Sequence, residues 1–162
     1  LKFRMNIIRP SNAYCPGQLL HRVIPHAVLC GLTGQKLPLQ GGGRAEKSYI
    51  HARDLARAVL LVSEKAPLGT VYNVGPPKPI SIRQLMEKTA DALDMPFDEL
   101  CEVVPDRLGQ DSRYWLDSSA IKKDVGWEQE ISLEEGLKEM VEWGRTYLPQ
   151  LREMSTEYIL RT

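Results

Sequence analysis

The sequence holds 162 residues, a size usual for one domain or for part of a two-lobed protein. Its 43% hydrophobic and 26% charged residues are ordinary for a globular chain with a buried core. Lys plus Arg and Asp plus Glu both number 21, so no bulk positive field points to nucleic acid. The uncharged run from Val23 to Gln35 is too short, and too interrupted by His26, Gly31 and Gly34, to span a bilayer. No signal-peptide pattern is read at the start. The cysteines Cys15, Cys30 and Cys101 are odd in number and lack CxxC spacing, so free thiols in a reducing cytosol are expected. Leu1 leads straight into an apolar alternating segment, so a fragment lacking its N-terminal part is expected.

In chain order, Lys2 to Arg9 alternates like a strand and Pro10 is expected to stop it. The following SNAYCPGQ has loop chemistry. A helix is expected from Leu20 to about Leu32, with Pro25 tolerated in its first turn and Gly31 and Gly34 ending it. Leu37-Pro38-Leu39 reads as a short strand, Gly41-Gly42-Gly43 as a flexible hinge or turn, and Ser48 to His51 as a second strand. Asp54 to Glu64 is the next helix and Val71 to Val74 the next strand, closed by Gly75-Pro76-Pro77. Ser81 and Gln84 make a capping box for a helix to Leu93, where Ile82, Leu85, Met86, Thr89, Ala90 and Leu93 hold one face. Cys101 to Val104 is a strand. Ser118 or Ser119 should cap a short helix ending at Gly126, with Trp127 as its anchor. Ser132 and Glu135 form a second capping box for a helix that Pro149 should terminate, leaving a mixed tail. Strands alternating with helices indicate an α/β protein.

The chemistry-bearing stretch is Pro105 to Asp117, PDRLGQDSRYWLD, set between a strand and a helix. A loop on a rigid scaffold that carries a guanidinium fork is a good place to hold an anion. A solvated polar connection is the alternative. His21, His26 and His51 show no metal-ligand spacing and read as structural or exposed. There is no GxSxG elbow or P-loop, and Gly41 to Gly43 is not GxGxxG.

Taken in order, RPSNAYCPGQ, LPLQGGG before KSYIHARDLARA, VYNVG, DRLGQDSRY, DSSAIKKDVGW and SLEEGL resemble the C-terminal half of the extended short-chain dehydrogenase/reductases that act on nucleotide sugars. DRLGQDSRYWLD is most similar to the DRPGHDxRYxxD loop of the dTDP-glucose 4,6-dehydratases. The resemblance covers Met5 to Leu148. It implies part of a Rossmann-type doubly wound parallel sheet plus a small α/β substrate-binding lobe. Segments 2–9, 54–64 and 71–74 would belong to the Rossmann domain and the rest of 1–148 mainly to the lobe, with 149–162 as a tail. Such ligands bind in the cleft between lobes.

By resemblance, Asn12 matches an asparagine whose amide contacts the substrate near its phosphates; an Asx turn is its local alternative. Ser11 and Ala13 match positions beside the NAD cofactor, Ala13 standing where the dehydratases often have Asn. Cys15 stands where the family usually has Gly. Arg22 matches a basic residue by the substrate, and Leu37 and Leu39 match the segment bordering the nucleotide base. Lys47 replaces an arginine, keeping the charge without the bidentate fork. Ser81 matches a polar residue touching the phosphates and also fits a helix cap. Arg107 matches the arginine on the pyrophosphate, and Gln110 replaces a histidine, so it cannot titrate.

The resemblance implies no catalytic residue and no metal in this chain, because the family's Tyr-x-x-x-Lys pair, Asp-Glu pair and glycine-rich NAD loop lie upstream. The whole protein would be an NAD-dependent, cytoplasmic lyase, a homodimer that takes a nucleotide-diphosphate hexose and needs neither nucleic acid nor membrane. A 4-epimerase or decarboxylase of the same fold, or a non-catalytic nucleotide-sugar binder, are the alternatives.

Overall fold

The computed structural model describes residues 5–106, 109 and 112–158. Its strands are β1 (Ile7–Pro10), β2 (Asn12–Tyr14), β3 (Leu37–Gln40), β4 (Glu46–Lys47), β5 (Tyr49–His51), β6 (Val71–Val74), β7 (Ile80–Ser81), β8 (Cys101–Val104) and β9 (Arg113–Tyr114). Its helices are α1 (Val23–Thr33), α2 (Ala52–Lys65), α3 (Ile82–Leu93), α4 (Phe97–Leu100), α5 (Ser119–Val125), α6 (Leu133–Thr146) and α7 (Leu148–Arg152). The chain folds into two compact units. One is made of Leu1–Tyr14, Glu46–Ile80 and Asp111–Leu133, the other of Cys15–Ala45, Ser81–Gln110 and Glu134–Thr162.

In the first unit the strands pair in parallel: β1 with β6, β2 with β5 and β4 with β9. Parallel pairs need long connections, and α2, which joins β5 to β6, is part of the one from β1 to β6. Its inward side chains, Ala58 and Val62, join Ile50, Tyr72, Val74, Ile121, Val125 and Trp127 in one core. Trp127, only 2% exposed, donates its indole N–H to the Asp54 carbonyl at 2.9 Å, so its polar end is satisfied inside the core. The second unit sets β3 parallel to β8, with Leu37 opposite Cys101 and Gln40 opposite Val104. Along β3, buried Leu37 and Leu39 alternate with exposed Pro38 and Gln40, the period of a half-buried strand. Here α1 packs on α3, α4 and α7.

Several boundaries differ from those expected. The first helix begins at Val23, not Leu20, because Pro25 must lie in the first turn, where its missing N–H costs nothing. Pro10 is the last residue of its strand, as expected. It stands opposite Val74, and just beyond the strand the Ser11 N–H donates to the Val74 carbonyl at 2.8 Å. Within the loop-like SNAY, Asn12–Tyr14 forms β2, since Asn12 N–H finds the Ser48 carbonyl at 3.1 Å; tertiary pairing overrides local loop preference. Ser118 holds the N-cap position of α5 without capping it; Asp117 Oδ1 instead accepts from Ser119 N–H at 2.9 Å. Pro149 does not terminate α6, which ends at Thr146; it occupies the first turn of α7. The tail expected from 149 thus opens as helix, and Leu151 packs with Leu20 and Leu29.

Of the hinge or turn expected at Gly41–Gly43, the structure shows the turn. It is a 3₁₀ turn with all three φ angles positive. A Cβ on Gly43 would lie 2.7 Å from the Arg83 backbone nitrogen, so glycine is there for a close approach to the start of α3.

Candidate functional site

Four of the expected site residues belong to the first unit. Asn12 and Ala13 lie on β2, opposite Tyr49 and Ile50 of β5. The Asn12 side chain makes no Asx turn. Its Nδ2 donates to the Ser48 carbonyl at 3.0 Å, duplicating the bond its own backbone N–H makes to that oxygen. One amide hydrogen and the side-chain carbonyl remain available. Lys47 lies on β4 opposite Tyr114 of β9, beside the Glu46–Arg113 ion pair at 3.0 Å.

Ser11, the residue between β1 and β2, is 5% exposed, and its hydroxyl is buried with no hydrogen-bond partner among the described residues. A buried hydroxyl without a partner costs stability, and such groups ask for a ligand or an ordered water. A carboxamide, which both donates and accepts, suits it, and NAD carries one on its nicotinamide ring. The methyl of Ala13 can offer only packing. Ser11 therefore fits the expected cofactor and Ala13 does not contradict it.

Of the others, Arg22, Leu37, Leu39 and Ser81 belong to the second unit. Arg22 is exposed at the N-cap of α1, with no capping bond from its side chain. Leu37 and Leu39 are 5% and 2% exposed, so their side chains face the core and the exposed groups of that strand are Pro38 and Gln40. Ser81 caps α3: its Oγ accepts from Gln84 N–H at 3.1 Å while Gln84 Oε1 accepts from Ser81 N–H at 3.1 Å. The hydroxyl is thereby already engaged in the capping box. Arg107 and Gln110 lie outside the described residues. Asp106, before them, rests its carboxylate against Gly41, where a Cβ would meet it at 2.4 Å, and faces Arg44 at 3.8 Å. The turn at Gly41 thus fixes where the chain leaves β8.

Two features of the first unit escaped the sequence. Asp54, 1% exposed, accepts from Glu130 N–H and Ile131 N–H at 3.1 and 3.0 Å and pairs with Arg57 at 2.9 Å, tying the start of α2 to the segment after Trp127. A cavity of about 480 Å³ lies between Trp115 and Trp127, walled by Gly75, Pro77, Ser118 and Lys122; none of the expected site residues lines it. The adjacent Tyr114-Trp115 pair and the Gly75-Pro76-Pro77 breaker were its only sequence signals. Among the described residues no group of His, Cys, Asp and Glu could hold a metal ion, and no helix is long and apolar enough to cross a membrane.

Residues 2–75 match the NAD dependent epimerase/dehydratase family. The chain is 33% identical over 135 residues to a trifunctional UDP-glucose 4,6-dehydratase/UDP-4-keto-6-deoxy-D-glucose 3,5-epimerase/UDP-4-keto-L-rhamnose-reductase of Arabidopsis thaliana, covering 83% of this chain and 20% of that protein. It superposes with TM-score 0.84 on the crystal structure of dTDP-glucose 4,6-dehydratase from Bacillus anthracis in complex with NAD, at 30% identity, over 93% of this chain and 47% of that one. A UDP-glucose 4-epimerase from Thermotoga maritima, solved with UDP-glucose, gives TM-score 0.82 at 30% identity, over 90% of this chain and 47% of that one. The chain therefore spans less than half the length of each of these proteins. Its fold is the Rossmann-like α/β fold of these NAD-dependent enzymes.

Proposed function

We propose that this chain, a relative of the NAD dependent epimerase/dehydratase family, is the substrate-binding part of a nucleotide-sugar 4,6-dehydratase. The observation that carries the reading is the agreement of sequence and fold: 33% identity to a protein named for UDP-glucose 4,6-dehydratase activity, and TM-score 0.84 on a dTDP-glucose 4,6-dehydratase. The substrate would be a nucleotide-diphosphate hexose, oxidised at C4, relieved of water across C5 and C6, and reduced at C6. Bound NAD would supply the hydride chemistry of the first and last of these changes.

The residues of this chain bind and orient. Asn12, anchored by Nδ2 to the Ser48 carbonyl, keeps one donor for a phosphoryl oxygen near the sugar. Ser11 holds the cofactor through its buried hydroxyl, with Ala13 packing beside it. Lys47 and Arg22 bring positive charge to the diphosphate, Arg107 clamps it with a fork of N–H donors, and Gln110 reads a hydroxyl or phosphate. Ser81, already a helix cap, approaches the phosphates only with the hydrogen-bonding capacity its cap leaves. The segment around Leu37 and Leu39 borders the base through its backbone and exposed neighbours. A homodimer and a cytoplasmic location, both usual for such enzymes, belong to the same reading.

Arg107→Ala tests it in the full chain. Loss of a charged hydrogen bond should weaken nucleoside diphosphate binding by about 1.5 to 3 kcal/mol in calorimetry. An unchanged affinity would return the 105–117 loop to a solvated connection. The similarity to the Thermotoga maritima epimerase supports a second reading, a 4-epimerase. Product analysis separates the two: a 4-keto-6-deoxy sugar marks the dehydratase, a C4-inverted hexose the epimerase.

A further inference from the structure

We infer that Gly75 and Ser118 are positioning residues that keep the Ser11 hydroxyl available for the cofactor's carboxamide; the inference rests on the assignment of Ser11 to NAD above. Ser11 and Gly75 follow the paired strands β1 and β6, so their backbones leave the sheet side by side. A Cβ on Gly75 would lie 2.9 Å from Ser11 Oγ, closer than real contacts allow, and 3.0 Å from Ser11 Cβ, tighter than nine in ten of them. Any side chain at 75 therefore displaces Ser11.

A backbone that close would ordinarily capture a neighbouring hydroxyl. Ser118 prevents this. Its Oγ accepts from Gly75 N–H at 2.9 Å and donates to the Gly75 carbonyl at 3.0 Å, so one hydroxyl takes the glycine's N–H and one of the two lone pairs of its carbonyl. The same pair of bonds explains why Ser118, at the N-cap position of α5, leaves capping to Asp117. On the other side, the Ser11 backbone N–H is held by Val74. The outcome is a buried hydroxyl with no partner among the described residues, beside a glycine whose N–H is already taken. Folding leaves that cost in place, and a ligand that both donates and accepts removes it.

The test measures NAD affinity by calorimetry in the full chain, with thermal midpoints of the cofactor-free variants as a control for folding. Ser11→Ala should weaken NAD about tenfold, as expected for one hydrogen bond. Gly75→Ala should weaken it at least as much. In a Ser11→Gly background Gly75→Ala should add nothing further, because the atoms it displaces are gone. Ser118→Ala should weaken NAD and speed hydrogen exchange of the Gly75 amide, and Ser118→Thr should restore both. If Ser11→Ala weakens NAD but Gly75→Ala and Ser118→Ala do not, the inference fails while the Ser11 assignment stands. It fails likewise if Gly75→Ala weakens NAD equally in the Ser11→Gly background. If Ser11→Ala leaves NAD affinity unchanged, both fall.

Discussion

Asp54 shows how much one side chain can settle. At the start of α2 an acid suits the helix dipole, but here the carboxylate is buried and serves two backbone amides and the Arg57 guanidinium. Arg57 in turn donates to the Glu128 carbonyl and pairs with Glu130 at 2.8 Å. Asp54→Ala would remove the buried acceptor of both amides and one of the partners of Arg57, so a loss of about 1.5 to 3 kcal/mol is expected, read as a lower urea midpoint with the same slope. The thiols make a second residue-scale prediction. Burial, with the Cys30 thiol nearby and Arg83 opposing, pushes the Cys101 thiol up from 9 to about 11. Burial raises Cys30 and Tyr49 in the same direction. Between pH 9 and about 11 the unfolded chain sheds a thiol proton that the folded chain keeps. The stabilisation is thus full below pH 9 and falls as pH rises toward 11. Urea midpoints at pH 8 and pH 10 should show the drop, and Cys101→Ala should make it smaller. The capping role of Ser81 was legible beforehand because its partner, Gln84, is three residues away. The Asn12 contact to Ser48 joins residues 36 apart, and no local pattern announces it.

Among the elements, the helices α2 and α3 were recovered within two residues because their apolar faces repeat with the helical period. β2, β4 and β9 were not, since their two or three residues show no period in the sequence and each stands in register with a partner strand remote in the chain. The Gly41–Gly43 run makes the same point from the other side. Three glycines suggest freedom, yet the turn is pinned between the Arg83 backbone and the Asp106 carboxylate. Gly43→Ala should therefore destabilise the second unit by about 1 to 3 kcal/mol, since neither the backbone contact nor the positive φ can relax cheaply. A thermal midpoint equal to wild type would show that the turn moves freely. Pro149 illustrates an ambiguity of proline itself: it can follow a helix or open one, and only the short α7 against Leu20 and Leu29 decides.

For the whole molecule, the expected site residues that the structure describes divide between the two compact units, with Ser11, Asn12, Ala13 and Lys47 in the first and Arg22, Leu37, Leu39 and Ser81 in the second. Nothing in either group supplies a general acid–base pair for a 4,6-dehydration. The isolated 162-residue chain is accordingly expected to show no turnover when assayed with NAD and a dTDP-, UDP-, GDP- or CDP-hexose. Measurable release of a 4-keto-6-deoxy sugar would mean that the chemistry resides within these residues.

The order of the motifs carried the family resemblance, because short runs such as VYNVG and DRLGQDSRY keep their identity and spacing without reference to what they touch. Alternation and capping signals carried the class of fold for the same reason: they are local. Contacts between distant segments were decided by the tertiary structure alone. It turned the loop after Pro10 into a strand, made the glycine run a close approach, and placed the Ser11 hydroxyl beneath a glycine whose bonds Ser118 already holds. Burial and hydrogen-bond competition arise only when remote residues meet, and a linear pattern holds no record of them.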